Sequence, residues 1–158
     1  MEESRLEKLR KLEKEGINPW GGRFDKEFIK KLKEEFEEKK TVKTAGRIMA
    51  CREHGKTFFL DIKDETGKIQ LYFKSDTIGE GNFELAKSFD IGDIIGVSGE
   101  LFKTHTGEIT IFVKEFQLLS KSLRALPEKW HGLKDPELIH RKRYLDLIVN
   151  PASFETFK

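Results

Sequence analysis

The chain has 158 residues, about the length of one domain. It carries 30 basic and 28 acidic side chains, and residues 41–119 alone carry 10 basic and 12 acidic ones. This balance excludes a protein that holds nucleic acid through a strongly basic surface, which needs a local excess of Lys and Arg. The single cysteine, Cys51, excludes an internal disulfide and a thiolate zinc site. No apolar run reaches the ~20 residues of a membrane span, so we expect a cytoplasmic chain without membrane association.

Two amphipathic helices are predicted before residue 41. Leucines recur at three-residue spacing among the charged residues of 2–15. After the helix-breaking stretch GINPWGG, a second apolar stripe runs through residues 28–36. We therefore assign residues 1–40 to an N-terminal helical extension.

From residue 41 the apolar residues recur with the period of a strand. Three alternating stretches, a short helical stretch and two more alternating stretches follow one another. This is the element order of the OB-fold, a small five-stranded Greek-key barrel that binds oligonucleotides. We therefore predict a mainly β protein with flanking helices (α+β), in which residues 41–119 form an OB-fold barrel. The strands are expected at 42–52, 57–64, 68–73, 94–103 and 108–118, and the helix at 82–89.

The alternation ends after residue 119. Residues 120–134 are typical of a loop, whereas Asp135 followed by Pro136 is typical of a helix start, with the helix continuing to residue 148. This region is too short to enclose a core of its own. We predict that residues 120–158 form a linker and the truncated start of a further domain.

Strand parity identifies candidate binding residues, because successive side chains point to opposite faces of a sheet. Phe59 is a large aromatic residue on the otherwise polar face of the second strand, and the third strand presents Gln70 on that face. The fifth strand is expected to present Glu108, Thr110 and Phe112. Aromatic rings beside an amide and a carboxylate suit single-stranded nucleic acid, since bases stack on the rings while polar groups read the base edges.

Three cations are further candidates. Arg52, at the end of the first strand, can stack on a base or hold a phosphate. Arg47 and Lys68 are candidates for contacts with the nucleic-acid backbone. The same residues are also compatible with ordinary surface packing, and Phe59 could lie beneath a loop. The four histidines are not spaced as metal ligands, so we expect no metal site in this chain.

Several motifs resemble the anticodon-binding domain of class II lysyl-tRNA synthetases. They are GRI (46–48), HGK (54–56), IQLY (69–72), KTHTGE (103–108), LPEKWHGL (126–133) and RYLDLI (143–148). The resemblance implies that Phe59 stacks on the middle base of a UUU-type anticodon, that Gln70 and Glu108 read uracil edges, and that Arg52 assists. Two departures from the family pattern, Ala125 and Lys142, lie outside this base-reading face.

The resemblance also implies a parent enzyme. Such an enzyme is a cytoplasmic homodimer that attaches lysine to tRNA with ATP and Mg²⁺. This chain lacks the catalytic motifs, so we expect it to contain no catalytic residue, to bind no cofactor and to be inactive alone. Three alternatives stay open: a fragment of an aspartyl- or asparaginyl-type ligase, a non-catalytic single-strand-binding OB module, and a protein-interaction module that uses the same exposed aromatic residues.

Overall fold

The computed structural model describes residues 2–127 and 133–158 and divides the chain into two compact units between Leu123 and Arg124. Residues 128–132, which carry most of the LPEKWHGL motif, lie outside the described residues. In chain order the elements are α1 (Glu2–Lys14), α2 (Ile29–Glu34), β1 (Thr41–His54), β2 (Thr57–Lys63), β3 (Lys68–Lys74), α3 (Ser75–Ile78), α4 (Glu80–Lys87), β4 (Ile94–Lys103), β5 (Ile109–Ser120), α5 (Pro136–Arg141), α6 (Arg143–Val149) and α7 (Pro151–Phe157).

The five strands form a closed barrel in the order β1-β2-β3-β5-β4, which confirms the predicted OB-fold. β1 is long enough to pair with β4 through its first half and with β2 through its second half. β3 and β5 run parallel, and the other neighbours are antiparallel. The ring has no free edge, so every strand has a hydrogen-bonded neighbour on both sides.

Alternating apolar residues fill the barrel. Phe58 and Phe73 are fully buried and stack with their centroids 4.5 Å apart, and Phe83 from α4 meets Phe58 edge-on at 5.1 Å. Helix α4 therefore covers one part of the core. The buried apolar side chains of the strands are Val42, Ala45, Ile48, Phe58, Leu60, Ile62, Ile69, Leu71, Phe73, Ile95, Val97, Leu101, Ile111, Val113 and Leu118.

Helix α2 is attached to the turn between β2 and β3. The Asp64 carboxylate accepts hydrogen bonds from the backbone of Thr66 and Gly67 in its own turn and of Ile29 at the start of α2, at 2.7, 3.0 and 3.0 Å. Ile29 is fully buried, so the same turn brings an apolar residue onto the barrel. One carboxylate thus orders both the turn and the helix.

Helix α1 is attached to the barrel by charged residues. Its buried residues are Arg5 and Leu12. The Arg5 guanidinium donates to two backbone carbonyls of the barrel, at 3.1 and 3.2 Å, and Lys8 pairs with Asp90 at 2.6 Å. The leucine stripe predicted for this helix therefore contributes mainly through Leu12.

A buried ionic cluster joins the beginning of β4 to the end of β5. Lys121 Nζ lies 2.8 Å from Asp93 Oδ1 and 2.8 Å from Asp90 Oδ2. The side chains of Lys121 and Asp93 are only 1% and 0% exposed. Asp93 also accepts hydrogen bonds from the backbone N–H groups of Ser122 and Asp90, each at 2.8 Å. Both buried charges therefore have partners, as burial of a charge requires.

Gly99 lies where β4 approaches β5 too closely for a side chain. An added Cβ would lie 2.0 Å from the backbone oxygen of Phe112, beside a register shift between the two strands. We expect Gly99→Ala to lower the free energy of unfolding by about 1–3 kcal/mol, the usual cost of overpacking. Gly81 in α4 is the matched control, since a Cβ there meets nothing within 4 Å. Gly81→Ala should raise stability by up to about 1 kcal/mol; equal effects of the two changes in urea unfolding would contradict this account.

Two carboxylates make stability fall in acid. Burial by itself raises the pKa of Asp90, but hydrogen bonds from Lys121 and Lys8 outweigh it and lower the pKa below its ordinary value. Burial also raises the pKa of Asp64, but the hydrogen bonds within its turn and from Ile29 outweigh this effect and lower the pKa. The unfolded chain therefore binds protons more readily, so this stabilisation is complete above the unfolded value of about 3.9 and is lost as pH falls through the lowered values.

Urea unfolding at a series of pH values tests this expectation. Stability should fall steeply below about pH 4, and Asp64→Asn should remove part of the dependence. A free energy of unfolding that stays level from neutral pH down to pH 3 would contradict it.

In the described residues of the second unit, three short helices follow one another. Asp135 caps α5 by accepting a hydrogen bond from the backbone N–H of Glu137 at 2.9 Å, with Pro136 in the first turn, as predicted. The prediction of one continuous helix to residue 148 is wrong, because the backbone leaves the helical region at Lys142 (φ −122°, ψ 49°). Within this unit the buried Asp146 pairs with Arg143 at 2.8 Å.

Candidate nucleic-acid interface

A row of large side chains crosses the outer face of the barrel. Cross-strand pairing places Arg52 of β1 opposite Phe59 of β2, Phe59 opposite Tyr72 of β3, and Tyr72 opposite Phe112 of β5. Paired residues in a sheet share a face, so the four side chains lie side by side. A register shift between Ile48 and Ala50 turns Arg52 onto this face.

The rings of this row contact one another. The Phe59 centroid lies 5.0 Å from that of Tyr72, and the Tyr72 centroid lies 5.4 Å from that of Phe112. Phe102 of β4 meets Tyr72 edge-on at 6.0 Å, and His54 meets Phe59 edge-on at 6.0 Å. The four rings that are half-buried are Phe59, Tyr72, Phe102 and Phe112. They form a continuous aromatic surface with partial access to solvent.

Arg52 is held in place by a carboxylate. Its Nη1 and Nη2 donate to the two oxygens of Asp61 at 3.2 and 2.9 Å, and Lys68 Nζ lies 3.5 Å from the same carboxylate. This hydrogen-bonded fork raises the pKa of the Arg52 guanidinium above its ordinary value; burial opposes the rise, and the Glu108 carboxylate adds to it. Arg52 therefore stays charged and has a fixed plane.

Gln70 and Glu108 leave their polar groups available. Gln70 lies between Asp61 of β2 and Thr110 of β5 in the register. Glu108 lies in the β4–β5 turn, where its backbone exchanges hydrogen bonds with Thr104 at 3.0 and 3.1 Å. Within the described residues neither the Gln70 amide nor the Glu108 carboxylate has a hydrogen-bond or ion-pair partner, so both can accept an external one.

The structure brings five of the six candidate residues onto one side of the barrel and separates the sixth. Arg47 pairs with Lys63 and Ile94, near the opposite end of the outer face from Phe59. Its guanidinium donates to the backbone carbonyl of Gly92 at 2.9 Å. Burial lowers the pKa of Arg47, although the negative charge of Asp93 acts in the opposite direction. The five residues that lie together are Arg52, Phe59, Lys68, Gln70 and Glu108.

Two details differ from the strand-parity prediction. β5 begins at Ile109, so Glu108 belongs to the preceding turn. Thr110 was expected to face solvent, and this is wrong, because its side chain is fully buried between its larger neighbours Gln70 and Phe102. Parity describes the direction of a side chain, but a small side chain between large ones is covered on the outer face as well.

Asp61 is the site residue that strand parity alone does not single out. Parity places it on the outer face beside Phe59, where an acidic residue is expected to be an ordinary solvent-exposed residue. Its side chain is 11% exposed because two long cationic side chains cover it. The signal that identifies it is its cross-strand position next to Arg52, which depends on the register of β1.

Residues 42–119 match the family model described as an OB-fold nucleic acid binding domain and named for the tRNA anticodon. These residues belong to that family. OB-folds bind oligonucleotides across strands 2 and 3 and their flanking loops, and Phe59 and Gln70 lie on the outer face of β2 and β3 here. No helix in the described ranges is long and apolar enough to cross a membrane. Among those same residues no cluster of His, Cys, Asp and Glu is suited to a metal ion.

The chain is also similar to curated lysine–tRNA ligases over nearly its whole length. It is 57% identical over 157 residues to the enzyme of Thermoanaerobacter sp. (strain X514), covering 97% of this chain and 32% of the relative. It is 54% identical to that of Carboxydothermus hydrogenoformans, with the same coverage, and 46% identical to that of Thermotoga maritima, covering 99% of this chain and 33% of the relative. The resemblance predicted from the motifs is confirmed, and the chain spans about a third of the length of these relatives.

Proposed function

We propose that this chain is the anticodon-binding part of a lysine–tRNA ligase and that it reads a UUU-type anticodon. The similarity to lysine–tRNA ligases supports the choice of tRNA as the partner. The single observation that carries the proposal is the aromatic row with an unengaged amide and an unengaged carboxylate beside it, on a domain without excess positive charge.

Phe59 is the stacking residue for the middle base. It lies at the β1 end of the ring row, between Tyr72 and the guanidinium of Arg52. A base that stacks on an aromatic side chain gains about 1–3 kcal/mol with little dependence on sequence. Arg52 completes the edge of this platform and supplies a fixed positive charge. Stacking provides affinity here, whereas base identity has to come from other groups.

Gln70 and Glu108 read the base edges. A uracil edge offers one N–H donor between two carbonyl acceptors. The Gln70 amide supplies both a donor and an acceptor, while the Glu108 carboxylate accepts only, so together they complement donor and acceptors. Lys68 and Arg47 are the candidates for backbone contacts: Lys68 contacts Asp61 beside Arg52, whereas Arg47 lies apart from the stacking platform.

The remainder of the function belongs to a larger protein. We propose that the parent charges tRNA with lysine, that ATP and Mg²⁺ bind in the parts of the relatives that this chain does not cover, and that residues 120–158 lead into that catalytic domain. A homodimeric parent and a cytoplasmic location are part of the same proposal.

Binding of three anticodon stem–loops by the 158-residue chain tests the assignment. The loops carry UUU, GUC and GUU, and fluorescence anisotropy at fixed salt compares their affinities. We expect the UUU loop to bind most tightly, and Glu108→Gln to reduce its advantage because an amide does not offer two acceptors. Equal affinity for the three loops would contradict the lysine assignment and favour a general single-strand-binding module. Absence of binding to all three would favour a protein-interaction module.

A further inference from the structure

Asp61 has an unusual position for a carboxylate. It lies on the face that we assign to RNA, directly across the sheet from Gln70, and it is surrounded by Arg52 and Lys68. Its side chain is almost covered, whereas that of Arg52 remains 46% exposed. The anion therefore lies beneath the two cations and is shielded from solvent by them.

An anion at this point has an electrostatic cost for RNA binding. Arg52 and Lys68 together carry two positive charges, and Asp61 reduces the net charge of the trio to +1. A site that held RNA through charge alone would bind more tightly without this carboxylate. Asp61 therefore contributes something other than attraction to RNA. Its two parallel hydrogen bonds with Arg52 fix the plane of the guanidinium.

We infer that Asp61 is a positioning residue for base recognition: it fixes Arg52 beside the Phe59 ring and limits the positive charge of the site, so that geometry rather than charge selects the RNA. This inference rests on the proposed function. Arg52 is the partner of Phe59 in the register, so an Arg52 guanidinium held by Asp61 borders the place where a base stacks. Released from Asp61, the same side chain is free to follow phosphates.

Replacement of Asp61 by Asn tests this inference directly. The amide has nearly the same size, but it cannot accept both hydrogen bonds of the fork and it carries no charge. We expect Asp61→Asn to lower the preference for the UUU loop over the GUC loop by about fivefold or more, within the range of coupling between contacting residues. We expect the affinity for both loops at low salt to stay level or rise. The dependence of affinity on salt should steepen, by up to about 0.7 in the log–log slope for each additional phosphate that is neutralised.

A double-mutant cycle shows whether Asp61 acts through Arg52. If it does, the Arg52→Ala and Asp61→Asn changes combined should reduce discrimination no more than Arg52→Ala alone. Arg52→Lys is the second test and leaves Asp61 intact: it keeps the charge but lacks the planar fork, so discrimination should fall while the salt slope stays unchanged. Arg52→Lys also tests the inference if the Asp61→Asn variant does not fold. Lys63→Met, which removes a cation outside the trio from the same face of β2, is the matched control and should leave discrimination unchanged.

The outcomes separate this inference from the proposed function. If the wild-type chain does not prefer the UUU loop, the proposed function fails. If the wild-type chain prefers it and both Asp61→Asn and Arg52→Lys retain that preference, only the inference on Asp61 fails. A purely structural role is recognised by a lower thermal midpoint with a proportionate loss of affinity for all loops and no change in salt slope, and this result would also overturn the inference.

Discussion

Replacement of Asp93 by alanine should lower the free energy of unfolding by about 3–5 kcal/mol, because it leaves a buried ammonium group without its main partner. Lys121 has a side chain that is 1% exposed, and its Nζ lies 2.8 Å from Asp93. Two backbone N–H groups, of Ser122 and Asp90, lose their acceptor as well. Asp90 remains beside Lys121 at 2.8 Å, which keeps the loss from exceeding this range. Urea unfolding followed by circular dichroism measures the effect.

A surface ion pair provides the control for this experiment. Lys114 and Glu100 lie 3.9 Å apart with side chains that are 41% and 42% exposed. Lys114→Ala should therefore change stability by less than about 1 kcal/mol. A cost for Asp93→Ala as small as that of Lys114→Ala would mean that the barrel does not depend on the buried cluster. Because Lys8 of α1 pairs with Asp90 in the same cluster, we expect Asp93→Ala to lower the protection of α1 amides from hydrogen exchange together with the stability of the barrel.

Phe59→Ala should weaken binding of the UUU stem–loop by about 5- to 150-fold, the equivalent of 1–3 kcal/mol for one lost base stack. Phe59 is half-buried and has sheet neighbours on both sides, Arg52 and Tyr72. Its removal eliminates the ring next to Arg52 but leaves Gln70 and Glu108 in place. We therefore expect the preference among loops to persist at reduced affinity, since the edge-reading groups are unchanged. Anisotropy titrations with all three loops measure both quantities.

Trp20→Ala is the matched control for loss of an aromatic side chain. Trp20 is 55% exposed, and it precedes Gly21, which packs against the backbone of Leu119 near the opposite end of β5 from Glu108. Its removal should leave RNA affinity unchanged. If Phe59→Ala binds as tightly as the wild-type chain while its thermal midpoint is unchanged, the ring is not a stacking platform. Phe59→Leu separates stacking from packing, because leucine retains apolar contact with Tyr72 but has no ring.

Much of the barrel could be predicted because its signals are local. The residues Phe58, Leu60 and Ile62 alternate with the polar face of one strand, and burial of one face forces that alternation. The same rule placed Phe59 and Gln70 on the outer face, where they lie on neighbouring strands. The assignments were least accurate at element ends, as at Lys142 and at the start of β5, where capping and turn geometry compete with periodicity.

The order of the five strands, the apolar interior and the aromatic outer face can be predicted from the sequence, because each follows from a periodicity that neighbouring residues share. Which residues meet across the strands depends on the tertiary structure. Strict alternation would place Arg47 and Arg52 on opposite faces of β1, and the register shift after Ile48 is what turns Arg52 toward Phe59 and Asp61. The cluster of Lys121, Asp93 and Asp90 likewise joins residues about 30 positions apart. Such pairs depend on strand register and chain closure, which are set by the packing of the whole barrel and not by any local pattern.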